Sequence, residues 1–172
     1  MPALTGPALV AAALLALAGA QKAVDPTMTV GALRAMRLPS SPLLVRAASV
    51  GELALGVAAI AVGGTVLWWL LAASYAAFAV FVVAALRNGT MIGSCGCFGR
   101  EETPPHWAHV ALNVALAAVA VAVAVRSPGA PLEALADEPG QGVIVGALSV
   151  VALYLLYAAF VELPRTLTAT KT

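Results

Sequence analysis

The sequence predicts an all-α, polytopic integral membrane protein, a single domain over residues 1–172 built as a bundle of about five transmembrane helices. Three observations predict it. Of the 172 residues 62% are apolar and only 10% are charged, against roughly 45–50% and about 25% in soluble domains. Mean hydropathy is +0.97. The apolar residues also gather into runs close to the length that crosses a bilayer, since a rise of about 1.5 Å per residue must cover roughly 30 Å of hydrocarbon. Finally, the glycines, prolines and charges concentrate in the breaks between those runs. The formal net charge of +1 supplies no basic field, so no nucleic-acid partner is expected. The expected partner along the apolar faces is the lipid bilayer.

Each span follows from its own run of residues. The first covers 4–20 and gives way to Gln21, Lys22, Asp25 and Pro26. Ala18-Gly19-Ala20 has the small-residue pattern of a signal-peptide cleavage site, but no Lys or Arg precedes it, and the run reads as a retained helix. Thr29 to Leu38 sets Arg34 and Arg37 among Val30, Leu33 and Met36, the pattern of a short interfacial helix. The second span covers 43–62 with one charge, Glu52, and the third covers 66–86, opening on Trp68 and Trp69. A polar loop, 87–106, leads to the fourth span, 107–125. The fifth covers 143–161 and closes at Glu162 and Pro164. Trp68 and Trp69 are expected in one aromatic belt, with Tyr154, Tyr157 and Phe160 approaching the other.

Orientation follows from the cations. Lys22, Arg34, Arg37, Arg46, Arg87, Arg100, Arg165 and Lys171 fall on one side of the bundle and Arg126 alone on the other, eight against one. The positive-inside rule then places the N-terminus outside, and the C-terminus and the 87–106 loop in the cytoplasm.

Both cysteines lie in that loop, in Ser94-Cys95-Gly96-Cys97-Phe98-Gly99. Gly96 lets the backbone fold tightly enough to bring the sulfurs together, and a bridge closing so small a ring is easily reduced. The spacing therefore suits thiol–disulfide exchange better than static bracing. Arg100 favours a thiolate whereas Glu101 and Glu102 oppose it, which leaves open which cysteine attacks first. Thr103 and Pro104 read as the start of the fourth helix. At 100° per residue, His106, His109 and Asn113 fall within about 60° of one another, a polar stripe that should face protein. His106 is the candidate proton acceptor or donor beside the thiols. The bland alternative sets His106 in the headgroup zone and makes Asn113 an interhelical hydrogen bonder.

Cys95, Cys97, His106 and His109 could also be read as metal ligands, although cysteines one residue apart are tight for zinc and would suit copper(I) better. No metal is expected. Glu52, near the middle of the second span, is the other singular residue: a carboxylate there must be protonated, paired or wet. It lies on a small-residue face, Ala48, Glu52, Gly56, Ala59 and Gly63, expected to pack closely against neighbours. Lys22, Asn113, Ser74 and Tyr75 are its candidate partners.

Several segments together resemble a known family. Ala18-Gly19-Ala20-Gln21-Lys22 leading to Asp25-Pro26, Gly51-Glu52-Leu53-Ala54-Leu55-Gly56, and Cys95-Gly96-Cys97-Phe98-Gly99 followed by Trp107 and Asn113 are similar to MauE-type members of the DoxX-like membrane superfamily. The likeness runs from the first span to the fourth. It implies a redox-associated membrane protein of methylamine utilisation, with Cys95 and Cys97 as the redox pair and Glu52 as the intramembrane acid. It also implies a role in maturation or disulfide formation of the methylamine dehydrogenase small subunit. That dehydrogenase matures outside the cytoplasm, whereas the charges place the cysteine loop inside.

The expected function is thus that of a membrane thiol–disulfide oxidoreductase, whose partner is a thioredoxin-like protein or a maturing client. A non-enzymatic scaffold for a redox complex and a copper-handling module are the alternatives. Two cysteines on one membrane face cannot relay electrons across the bilayer, so a quinone or a partner protein would have to carry them.

Overall fold

With no water in the bilayer core, a spanning segment must satisfy its backbone groups internally, and an apolar run does so as a helix. The structure, a computed structural model, describes residues 3–87, 105–126 and 129–169, with side chains described as far as Glu162. Among the described residues there are seven helices: α1 (Thr5–Val24), α2 (Thr27–Ala35), α3 (Pro42–Ala61), α4 (Thr65–Arg87), α5 (Trp107–Arg126), α6 (Pro131–Asp137) and α7 (Pro139–Ala169). Five of them, α1, α3, α4, α5 and the Pro139–Glu162 part of α7, are long and apolar enough to cross a membrane, with mean hydropathies from 1.6 to 2.4. The chain is a polytopic helical membrane protein.

The short elements have local causes. Asp25 stops α1, and its Oδ1 accepts the Thr27 N–H at 3.1 Å, which starts α2 one residue beyond Pro26. α2 ends in a Schellman turn: the Arg37 N–H reaches the Arg34 carbonyl, the Leu38 N–H reaches the Leu33 carbonyl, and Arg37 takes the left-handed φ of 56° usual for glycine there. Val62, Gly63 and Gly64 connect α3 to α4, the two glycines taking left-handed φ of 68° and 93°. Ahead of the fifth expected span, residues 131–142 hold α6 and the start of α7, each begun by a proline whose missing N–H is harmless in a first turn.

α1 packs closely along α3, and α4 along α5. Leu14, Leu15, Leu71 and Val123 fill the centre of the bundle, with Trp68 completely enclosed at 0% exposure. The expectation of a Trp68-Trp69 belt is therefore corrected: consecutive helix positions point about 100° apart, so only Trp69, at 48% exposure, looks outward. Phe160 is likewise buried in the core while Tyr154 is exposed. The outward faces, with Val80, Val143, Leu148 and Val150 exposed, are apolar and contact lipid in a bilayer.

The α1–α3 crossing brings two backbones together. A Cβ placed on Gly19 would lie 2.6 Å from the Ser49 carbonyl oxygen and 2.6 Å from the Leu53 nitrogen. One on Gly56 would lie 2.5 Å from the Ala12 carbonyl oxygen. Backbone meets backbone there, so no side chain can give way. Gly56→Val is therefore expected to lose about 1–3 kcal/mol of stability, read as a lower unfolding midpoint in detergent. Gly51→Ala, which meets nothing within 4 Å, should leave that midpoint unchanged or slightly raised. Equal midpoints for the two variants would contradict the crossing.

Candidate functional site

Lys22 was expected in the loop after the first span, yet α1 continues to Val24 and holds it in its last turn, where a cation suits the negative end of the helix dipole. It shares one face of α1 with Ala11, Leu15 and Ala18, all buried. Lys22 itself is only 3% exposed. Because Gly19 lets α3 approach within backbone contact, the Lys22 Nζ reaches the Glu52 Oε2 at 2.5 Å. On its other side the ammonium lies 4.5 Å from the centroid of the Phe78 ring on α4, a cation–π distance. Of the four partners considered for Glu52, the fold brings Lys22 to it. Tyr75 is engaged elsewhere, its hydroxyl donating to the Ala11 carbonyl at 2.7 Å, and the Ser74 hydroxyl donates to the Leu70 carbonyl at 3.0 Å.

The ion pair lines a cavity of about 360 Å³ between α1, α2, α3 and α4. Its walls are mostly apolar, with Leu33, Leu44, Val45, Phe78 and Phe81 around the two charges. Ala48, expected to pack against a neighbouring helix, is instead an exposed wall of this cavity, and Ser49 takes the buried position beside it. Glu52 Oε2 contacts the ammonium but is buried without a directed hydrogen bond. The cavity was not visible in the sequence. A helical-spacing signal for Lys22 was present, because Ala11, Leu15, Ala18 and Lys22 recur at helical intervals, but the charge read as a loop boundary.

The histidine stripe does face protein. His109 is 1% exposed, and its Nε2 lies 3.0 Å from the Phe160 carbonyl oxygen, while its Nδ1 accepts the His106 N–H at 3.2 Å. An accepting Nδ1 leaves the proton on Nε2, which therefore donates to Phe160 and ties α5 to α7. Asn113 Nδ2 donates to the His109 carbonyl at 2.7 Å within its own helix. His106 is partly buried at the start of α5, where its Nδ1 accepts the Ala108 N–H at 3.1 Å and caps the first turn. His109 is structural, and with both ring nitrogens engaged it has none left for a metal. Among the described residues no group of three metal-ligating side chains gathers.

Cys95 and Cys97, with Arg100, Glu101, Glu102, Thr103 and Pro104, lie outside the described residues. Chain order fixes only where their segment attaches: it leaves α4 at Arg87 and reaches α5 just after His106.

Removing one partner of a buried pair strands the other charge, so Lys22→Met and Glu52→Gln should each lower stability, Lys22→Met by about 3 kcal/mol. The double variant Lys22→Met/Glu52→Leu should recover most of that loss in the same unfolding assay. Losses that simply add would contradict the pairing.

The family model described as Methylamine utilisation protein MauE matches residues 2–126. No curated protein and no solved structure matches the chain. The matched stretch runs from α1 through α5 and includes Lys22, Glu52, His106 and the cysteine pair. The chain therefore belongs to the methylamine utilisation protein MauE family.

Proposed function

We propose that this methylamine-utilisation-associated membrane protein is a thiol–disulfide oxidoreductase in which Cys95 and Cys97 exchange disulfides with a partner. The observation that carries the reading is the Cys95-Gly96-Cys97 sequence inside the family-matched region, on the segment joining α4 to α5. A thiolate of one cysteine attacks a disulfide of the partner, and the second cysteine resolves the mixed disulfide. In the maturing direction the chain starts as the disulfide, takes two electrons from a client dithiol and ends as the dithiol. The partner is a thioredoxin-like protein or a maturing client, such as the methylamine dehydrogenase small subunit. His106, fixed through its Nδ1 at the start of α5, is the proposed proton carrier for this exchange.

The charge pattern supports a cytoplasmic cysteine segment in the cell membrane. With Lys22 buried in α1, the cations on that side are Arg34, Arg37, Arg46, Arg87, Arg100, Arg165 and Lys171, seven against Arg126 alone. The bias keeps its sign, which supports an outside N-terminus and an inside C-terminus. The partner is accordingly sought first in the cytoplasm.

Replacing one cysteine should trap the reaction halfway. One of Cys95→Ser and Cys97→Ser, the variant that lacks the resolving thiol, is expected to accumulate a covalent adduct with its partner that dithiothreitol releases. The double variant should form no adduct and should lose function while inserting normally. Full function in the double variant would overturn the redox reading in favour of a scaffold.

A further inference from the structure

A buried ion pair repays its desolvation only if the remaining donors and lone pairs are also satisfied. Lys22 carries three N–H donors and Glu52 two acceptor oxygens, more than their single 2.5 Å contact uses, and Glu52 Oε2 accepts no directed hydrogen bond. Both groups line a mostly apolar cavity of about 360 Å³, within the range of roughly 300–1,000 Å³ usual for small-molecule sites.

The chemistry of the walls selects among ligands. An anionic headgroup attracted by Lys22 would meet the Glu52 carboxylate beside it, and a cation would meet the reverse, so a neutral head is favoured. A bare acyl chain would fill the apolar walls and leave the spare donors and lone pairs of the ion pair unmatched. A flat, neutral ring with two oxygens matches the two charges across its redox states: as quinone its carbonyl accepts from Lys22, as quinol its hydroxyl donates to Glu52, and in both its face can stack on Phe81. Leu44 and Ala48, exposed on α3 at the cavity's edge, leave room for an apolar tail. We infer that this cavity binds the head of an isoprenoid quinone.

That assignment stands on the cavity alone; its use in electron transfer rests on the thiol–disulfide reading above. There, oxidation of the Cys95/Cys97 dithiol breaks two S–H bonds, forms one S–S bond and releases two electrons and two protons. One quinone takes up all four and becomes the quinol.

The test is a titration of the full chain in phosphatidylcholine nanodiscs with decylubiquinone, followed as the rise in unfolding midpoint. A saturable rise is expected. Ala48→Phe, which fills the cavity from an exposed position, and Leu44→Trp, a second filling variant, should each weaken binding by about tenfold or more. Val150→Phe on the exposed face of α7 should bind as the native chain does. Cys95→Ser/Cys97→Ser should also retain binding, so loss of the redox reading would leave the site standing. A non-saturable rise, unchanged binding in both filling variants, or an equal effect from a decyl chain without the ring would overturn the assignment. Displacement by phosphatidylglycerol would overturn it in favour of a lipid headgroup site.

Discussion

Everything distinctive in this bundle depends on one constraint: two opposite charges buried between membrane helices must lie within contact distance of each other. A lone ammonium or carboxylate inside a bilayer costs several kcal/mol. Lys22 and Glu52 meet because Gly19 and Gly56 bring the α1 and α3 backbones into contact. Glycine and alanine are thus not filler in these helices. They set the separation at which the ion pair forms, and the pair in turn holds two spans in register where apolar side chains alone distinguish poorly between neighbouring alignments.

The remaining polar groups obey the same requirement with weaker bonds. Tyr75 binds the Ala11 carbonyl, His109 binds the Phe160 carbonyl, and Ser49 and Ser149 bond back to carbonyls one turn earlier. Each tie joins or trims helices without exposing a polar atom to lipid. Against that background the cavity beside Lys22 and Glu52 stands out, because there a charged pair lines an open space between helices. It is built from the C-terminal half of α4 and the end of α1, and α4 ends at Arg87, from which the cysteine segment departs. The cavity and the cysteine segment are thereby attached to the same end of α4.

Much of this was legible in the sequence, for physical reasons that differ between residues. The five spans announced themselves through length and hydropathy, and the short helix at Thr27–Ala35 through Val30, Leu33 and the two arginines. The inward stripe of His109 and Asn113 followed from helical periodicity. Partner choice did not: Glu52 had four candidates, and only the interhelical separation set by Gly19 selects Lys22. Trp68 misled because an aromatic residue near a helix end fits both a core and a membrane belt, and neighbouring side chains decide which. A cavity is the space that four helices leave between them, so no local pattern could have revealed it.

The functional account joins a thiol pair, its partner and a quinone at one membrane face. Its central claim is that Cys95 and Cys97 cycle between dithiol and disulfide there. Since these are the only two cysteines, labelling with a membrane-impermeant maleimide reports on them alone. The most direct measurement compares intact cells with inverted membrane vesicles, before and after reduction. The account predicts labelling in inverted vesicles that appears only after the reductant is added. Two thiols that label fully without reduction would contradict the redox cycle, and labelling of intact cells would contradict the cytoplasmic placement.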